Sequence, residues 1–241
     1  MSGEKWGLNI PFVSFGAVTS DDLFCPNEEE IFRFYRANKD RYHRALDIGA
    51  NIGVHTILMC KNGWAVKCFE PDNMHFALLA KNLLENQHLI KGGVSAPGIG
   101  RVAVSDHDGT ETFVRVKGNT TSSHLKGDKQ PYGELEELEV PVVDCRPLFD
   151  WANFAKIDCE GHEARLLLTV TPEQAKKIDF MVEVGNKKNA ELIFLHFAKL
   201  PTKLWAQKIG WNQVSRFEDM PVHHSEGSLF IGREPPFHVK P

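Results

Sequence analysis

A short apolar strand, a glycine turn, a helix and a second strand closed by an acid occupy residues 45–72, and no other stretch limits the fold as tightly. Ala45 to Ile48 reads as the first strand. Gly49 and Gly53 bracket the turn, where glycine permits positive φ and lets a ligand approach the backbone. A helix from Val54 to Cys60 points its N-terminal amides at such a ligand. Ala65 to Phe69 reads as the second strand, and Glu70 follows it, 21 positions after Gly49. In a doubly wound sheet an acid about 20 residues past the glycine turn receives ribose hydroxyls, because two vicinal hydroxyls can both donate to one carboxylate. The stretch therefore predicts an α/β fold that holds a nucleoside-containing cofactor. A glycine-rich turn without a ligand is the plainer alternative.

The rest of the chain is consistent with one large domain, or one domain with additions. At 241 residues it can bury roughly 70–75% of its unfolded surface, so it needs no disulfide or metal for stability. A net charge of −4 gives no reason to expect a nucleic-acid backbone as partner, although a local basic groove stays open. The five cysteines, Cys25, Cys60, Cys68, Cys145 and Cys159, form no Cys-x-x-Cys pair. An odd, scattered set suits reduced thiols in the cytoplasm better than a disulfide framework or zinc site. No apolar core follows a basic start, so no signal peptide is expected, and no run approaches the ~18 apolar residues of a membrane span.

In chain order, residues 1–26 carry scattered aromatics and read as an irregular cap over the sheet, with a lid over a site as the alternative. Asn27 followed by Glu30 predicts a helix start, and Ile31, Phe32, Phe34 and Tyr35 give it an apolar stripe ending near Asn38. Asn73 to Gln87 reads as a helix and 91–100 as a loop. Residues 101–106 read as the third parallel strand of the sheet. Residues 107–150 read as an antiparallel insertion with strands at 111–117 and 140–144, and 134–139 as a solvated face or loop. Phe154 to Ile157, Phe180 to Val184 and Ser228 to Gly232 read as further strands. Helices are expected over 162–170, restarting at Thr171-Pro172-Glu173, and over 189–200. A helix with a connecting strand is expected over 203–214. The boundaries that follow are 1–43 for the cap and first helix, 44–234 for the main domain and 235–241 for a loose tail.

The glycine pattern is Asp47-x-Gly49-x-Asn51-x-Gly53, which departs from the Gly-x-Gly-x-x-Gly of nicotinamide sites. It resembles motif I of the class I methyltransferases, which bind S-adenosylmethionine. Leu46-Asp-Ile-Gly-Ala-Asn-Ile-Gly53, Phe69-Glu-Pro-Asp72, Ala103-Val-Ser-Asp106 and Lys156-Ile-Asp-Cys-Glu-Gly-His-Glu163 follow in order. Together they resemble the FkbM family of S-adenosylmethionine-dependent methyltransferases over roughly residues 44–186, more than half the chain. The resemblance implies a Rossmann-like, mostly parallel seven-stranded sheet with helices on both faces and a small antiparallel insertion. It implies O-methylation of a small molecule or sugar. It implies cofactor contacts at Gly49, Ala50, Asn51 and Gly53, at Glu70, Pro71 and Asp72, at Val104 and Ser105, and at Asp158. Asp47 is the candidate for ordering the ammonium of the methionine portion, directly or through water.

A hydroxyl acceptor needs a group that takes its proton, typically worth about 10²–10⁴ in rate. Asp158, Glu160 and His162 at the end of the 154–157 strand, with Glu183 one strand away, are the candidates. Lys156 is expected to pair with these acids. Three acids at one edge are costly without a cation, a lysine or a shared proton, so a divalent cation is a further option, although no dense run of acidic ligands supports one. The plainer alternative is a salt-bridged strand end. A nucleic-acid methyltransferase and a non-catalytic S-adenosylmethionine-binding module are the competing functions; for the first, lysines at 187, 188, 199, 203 and 208 are the one late basic cluster.

Overall fold

The computed structural model describes residues 6–90, 98–128 and 133–237. The helix α1 (Pro26–Ala37) opens the ordered core. It starts with proline at its first turn and Cys25 at the N-cap, not at Asn27 as expected, because proline has no N–H to leave unpaired there. There follow β1 (Arg44–Ile48), α2 (Val54–Lys61), β2 (Ala65–Phe69), α3 (Asn73–Glu85) and β3 (Gly98–Gly100). Next come β4 (Ala103–Ser105), β5 (Gly109–Val116), β6 (His124–Leu125), β7 (Leu135–Asp144) and α4 (Cys145–Trp151). The last part holds β8 (Phe154–Ile157), α5 (Glu163–Leu167), α6 (Pro172–Ala175), β9 (Asp179–Glu183) and α7 (Lys187–Phe197). It closes with β10 (Lys203–Ala206), β11 (Asn212–Gln213) and β12 (Ser228–Gly232).

Among the described residues the main sheet has eight strands, in the order β11-β10-β12-β9-β8-β1-β2-β3, one more than expected. The run from β3 to β9 is parallel, and β12, β10 and β11 add on antiparallel. Alternation along the strands feeds two cores. Leu46, Ile48, Ala155, Ile157, Phe180 and Val182 face α4 to α7. Ala45, Phe154, Met181 and Phe230 face α1 and α2, where Phe34 and Tyr35 are fully buried. Each such aromatic contributes about 1.5–3 kcal/mol by leaving water. Asp47 and Lys156 are register partners across β1 and β8 and lie on this second face, so two charges sit together inside an apolar layer.

Three expectations are corrected. Residues 101–106 are not the third parallel strand of the main sheet. Gly98–Gly100 takes that place beside β2, and Ala103–Ser105 pairs with β7 in a second sheet ordered β4-β7-β5-β6. Residues 135–139 are part of a ten-residue strand, because Glu136, Glu137 and Glu139 find Arg115, Lys126 and Thr112 across the sheet. Residues 203–214 form two strands around a 3₁₀ turn instead of a helix. The 107–150 insertion is antiparallel as expected at β5, β6 and β7 but also holds α4. The expected 91–100 loop lies outside the described residues up to 97. In the expected loose tail, Pro235 and Pro236 accept hydrogen bonds from Arg41 and Asn38, and Phe237 meets Phe34 edge-on; 238–241 lie outside the described residues.

Candidate functional site

The carboxyl ends of β1, β2, β8 and β9 open into one cavity, which the second sheet closes on one side and residues 18–28 on another. Its floor exists because of Gly49. At φ +77° a Cβ there would stand 1.8 Å from the Asp158 carbonyl oxygen, so only glycine lets the two strand ends pass. Gly49 and Ala50 both donate their amides to the Phe69 carbonyl, at 3.0 Å each, which ties the turn to β2. Glu70 stands at the end of β2, nearly buried. Its Oε2 accepts from the Asn51 amide at 2.8 Å and its Oε1 from the Asp72 amide at 2.9 Å. Burial pushes its carboxyl up to about 8, against those two hydrogen bonds.

The opposite wall is acidic. Asp158, Glu160 and Glu183 all line the cavity, and Lys156 Nζ donates to Asp158 Oδ2 at 2.9 Å. Glu183 is held well above the usual carboxylate range by burial first and then by the charges of Asp158, Glu160 and Glu28. Glu160 has φ +54°, a conformation that a non-glycine residue adopts only when its surroundings impose it. Those surroundings are visible. Glu163 accepts from the Cys159 amide at 3.1 Å and the Gly161 amide at 2.9 Å, and Asn189 Nδ2 donates to the Gly161 carbonyl at 2.7 Å. Burial raises the Glu163 carboxyl to about 7. His162, also at the cavity, has Nδ1 2.8 Å from Asp128 Oδ2 and Nε2 3.2 Å from Ser105 Oγ, so both ring nitrogens are engaged.

The family model of the methyltransferase FkbM domain matches residues 47–196, more than half the chain. The chain belongs to this family. It is an S-adenosylmethionine-dependent methyltransferase. No curated protein matches it. Among solved structures it is similar to the methyltransferase FkbM from Methylobacillus flagellatus KT, at 14% identity, TM-score 0.47, covering 78% of this chain and 43% of that one. It thus spans less than half the length of that relative. It is also similar to the human methyltransferase 10 domain containing protein, at 12% identity, TM-score 0.46, covering 96% and 92%. A third is the O-methyltransferase from Bacillus cereus in complex with SAH, at 9% identity, TM-score 0.43, covering 86% and 80%.

The cavity of this FkbM methyltransferase fits the cofactor on an observation of its own: Asn51 Oδ1 is buried without a hydrogen-bond partner among the described residues. A second, smaller cavity shares Leu23, Glu28, Asn51 and Asp158 with the first and adds Ala50, His55 and Lys156.

Of the residues singled out from sequence, Gly49, Asn51, Glu70, Pro71, Val104, Asp158, Glu160, His162 and Glu183 come together at the main cavity, and Ala50 at the smaller one. Four stand apart from both. Asp47 is fully buried behind the turn, where Thr56 Oγ1 donates to its Oδ2 at 2.5 Å. Gly53 at φ +87° lets α2 pack on Leu79. Asp72 caps α3 through the Met74 and His75 amides and receives Arg115 Nε at 2.6 Å. Ser105 donates to Glu111 at 2.8 Å. Sequence reasoning missed Glu28, Val102, His75 and His124 as lining residues. Glu28 had one local signal, an acid in the first turn of a helix, and that signal reads as a dipole partner rather than a site. No group of three or more His, Cys, Asp or Glu side chains able to hold a metal occurs among the described residues. No helix there is long and apolar enough to cross a membrane.

Proposed function

We propose that the chain O-methylates a hydroxyl group of a small molecule or sugar, and that it works in the cytoplasm, where its five free thiols stay reduced. S-adenosylmethionine, when bound, supplies an electrophilic methyl group on a sulfonium. Glu70 would receive the ribose hydroxyls, and the Gly49 to Asn51 turn and Val102 to Val104, which line the same cavity, would hold the rest of the nucleoside. One observation carries the choice of a hydroxyl acceptor: Asp158, Glu160 and Glu183 share the cavity, and Glu183 has a raised affinity for a proton. A hydroxyl is a poor nucleophile until its proton leaves, and a carboxylate with raised proton affinity takes it best. Glu183 is that base in its ionised fraction, which grows as the pH rises. Asp158, fixed by Lys156, and Glu160, held out by its loop, orient the acceptor. His162 is spoken for at both nitrogens and steadies the wall. A nucleic-acid acceptor would bring phosphates against this acidic rim, which disfavours it.

The test is an acceptor screen with methyl-labelled cofactor, run over hydroxyl-bearing sugars and small molecules, amines and nucleic acids. Label in a hydroxyl acceptor is expected, and Glu183→Gln is expected to lower turnover about 10²–10⁴-fold with the cofactor affinity kept. Label confined to amines or nucleic acid, or full turnover in Glu183→Gln, would sink the reading.

A further inference from the structure

The smaller cavity has a composition that the main one lacks. It brings together Lys156 paired with Asp158 and His55 paired with Glu28, in a space only large enough for a few heavy atoms. Asn51 adds an acceptor, the buried Oδ1 that no described group satisfies. A cavity with both signs of charge and an unsatisfied acceptor suits a zwitterion, and an α-amino acid is the smallest common one. The zwitterion available at this site is the methionyl end of the cofactor. Asp47, the residue whose type and place in the glycine motif suggested this task, is shut off behind the turn by Thr56 and paired in register with Lys156.

We propose that Glu28, carried by α1 outside the family-matched span, binds the α-ammonium of the cofactor together with Asn51 Oδ1, and that Lys156 faces its α-carboxylate. The inference rests on the S-adenosylmethionine reading of the neighbouring cavity. Glu28 is equipped for the task. His55 Nε2 stands 2.9 Å from its Oε2, and Tyr35 OH lies 2.8 Å from His55 Nδ1, so a buried chain of three side chains fixes the carboxylate from behind. Burial disfavours the charged form, yet the hydrogen bond and charge of His55 and the charge of Lys156 hold Glu28 below the usual carboxylate range. The facing groups from the packed elements are thus Tyr35 on α1 itself, His55 on α2, Lys156 and Asp158 at the end of β8, and Glu183 on β9, whose proton affinity the charge of Glu28 raises. The backbone that presents Glu28 is anchored as well. The Ala17 amide donates to Gly118 and the Thr120 amide to Phe15, so the cap that precedes α1 is stitched to the second sheet over the cavity. The cap is therefore a wall of the cofactor site as well as cover for the core, and Glu28 makes it a reader of the cofactor's amino-acid end.

Titration calorimetry at pH 8 with two ligands separates this from the underlying reading. S-adenosylhomocysteine keeps the amino acid; 5′-methylthioadenosine keeps the nucleoside and thioether only. Glu28→Gln is expected to weaken S-adenosylhomocysteine by about ten- to a hundred-fold, the usual loss for a hydrogen bond to a charged group, and to leave 5′-methylthioadenosine within about twofold. Glu28→Asp, which keeps the charge, should recover part of the loss. An equal loss for both ligands would mean that Glu28 only supports the fold, and no loss for either would mean that the ammonium is held elsewhere; both overturn the proposal. If Glu28→Gln does not fold, as a melting curve shows, the wild-type protein decides. An S-adenosylhomocysteine analogue without the amino group must then bind at least about tenfold more weakly, and equal binding overturns the proposal. Failure of all three ligands on the wild-type protein would remove the cofactor reading itself.

Discussion

With Glu70 in its proposed role as receiver of the ribose hydroxyls, cofactor binding becomes a proton-release reaction. In the free protein its carboxyl is raised to about 8 by burial, with only the Asn51 and Asp72 amides supporting the charge. A ribose diol adds two donors, and four donors on one carboxylate favour the ionised form. Below pH 8 the binding-competent fraction is therefore the ionised one. The apparent affinity should rise about tenfold per pH unit up to about 8 and level off above it. At pH 6.5 only about 3% of Glu70 is ionised on this basis, so S-adenosylhomocysteine should bind about thirtyfold more weakly than at its plateau. Calorimetry at pH 6.5 in buffers of different ionisation enthalpy should then count close to one proton released per ligand. Glu70→Gln removes the titration. Its affinity should be nearly flat with pH, about ten- to a hundred-fold below wild type on the plateau and close to wild type at pH 6. A flat wild-type profile between pH 6 and 8.5, or a slope that survives in Glu70→Gln, would refute the reasoning.

Other expectations follow from the same geometry. Gly49→Ala puts a Cβ 1.8 Å from the Asp158 carbonyl at a positive φ, so it should cost about 3 kcal/mol or more in a urea melt, and a loss below about 1 kcal/mol would contradict the close approach. Without ligand, thermal stability should fall as pH rises from 5 to 8. Glu70, Glu163 and Glu183 keep protons in the folded state above the ordinary carboxylate range that the unfolded chain gives up, while His75, lowered by burial, acts the other way below about pH 6.5. A melting temperature that climbs over that range would count against the buried acids. Arg115→Ala strands Asp72, which sits 2.6 Å from its Nε at the cap of α3, and should cost about 3–5 kcal/mol by thermal or urea melt. Thiol counting of the denatured, unreduced protein should find all five cysteines free.

How far the fold was legible depended on how local its causes were. The strands β1, β2, β8 and β12 and the helix α2 were readable because each strand carries its own apolar run and α2 opens directly on the glycine turn. The elements that were misread take their partners from far away. Residues 134–139 look like a solvated acidic run until Arg115 and Lys126 are placed across the sheet from them. Residues 101–106 look like a sheet strand, and nothing local says that three residues earlier, Gly98 to Gly100, take the place beside β2. The 203–214 segment has apolar residues on both sides because β10 lies inside the sheet between β11 and β12, a placement that spacing cannot reveal.

The site divides along the same line. The glycine turn and Glu70 were legible because one βαβ unit contains both, and the Lys156–Glu163 string because a strand end and its loop contain it. Asp47 shows the limit. Its type and its position in the glycine motif suit a cofactor contact, yet alternation along β1 and its register with β8 point it at Thr56 and the Lys156 side of the sheet. That position was decided by a strand more than a hundred residues away in sequence. The carboxylate that does reach the smaller cavity, Glu28, comes from a helix outside the family-matched span, and it gets there because Ile31, Phe34 and Tyr35 bury α1 against β1 and β8. A hydrophobic stripe thus sets where an acid stands, so the segment that carries α1 reaches the smaller cavity through packing, with no motif of its own to announce it.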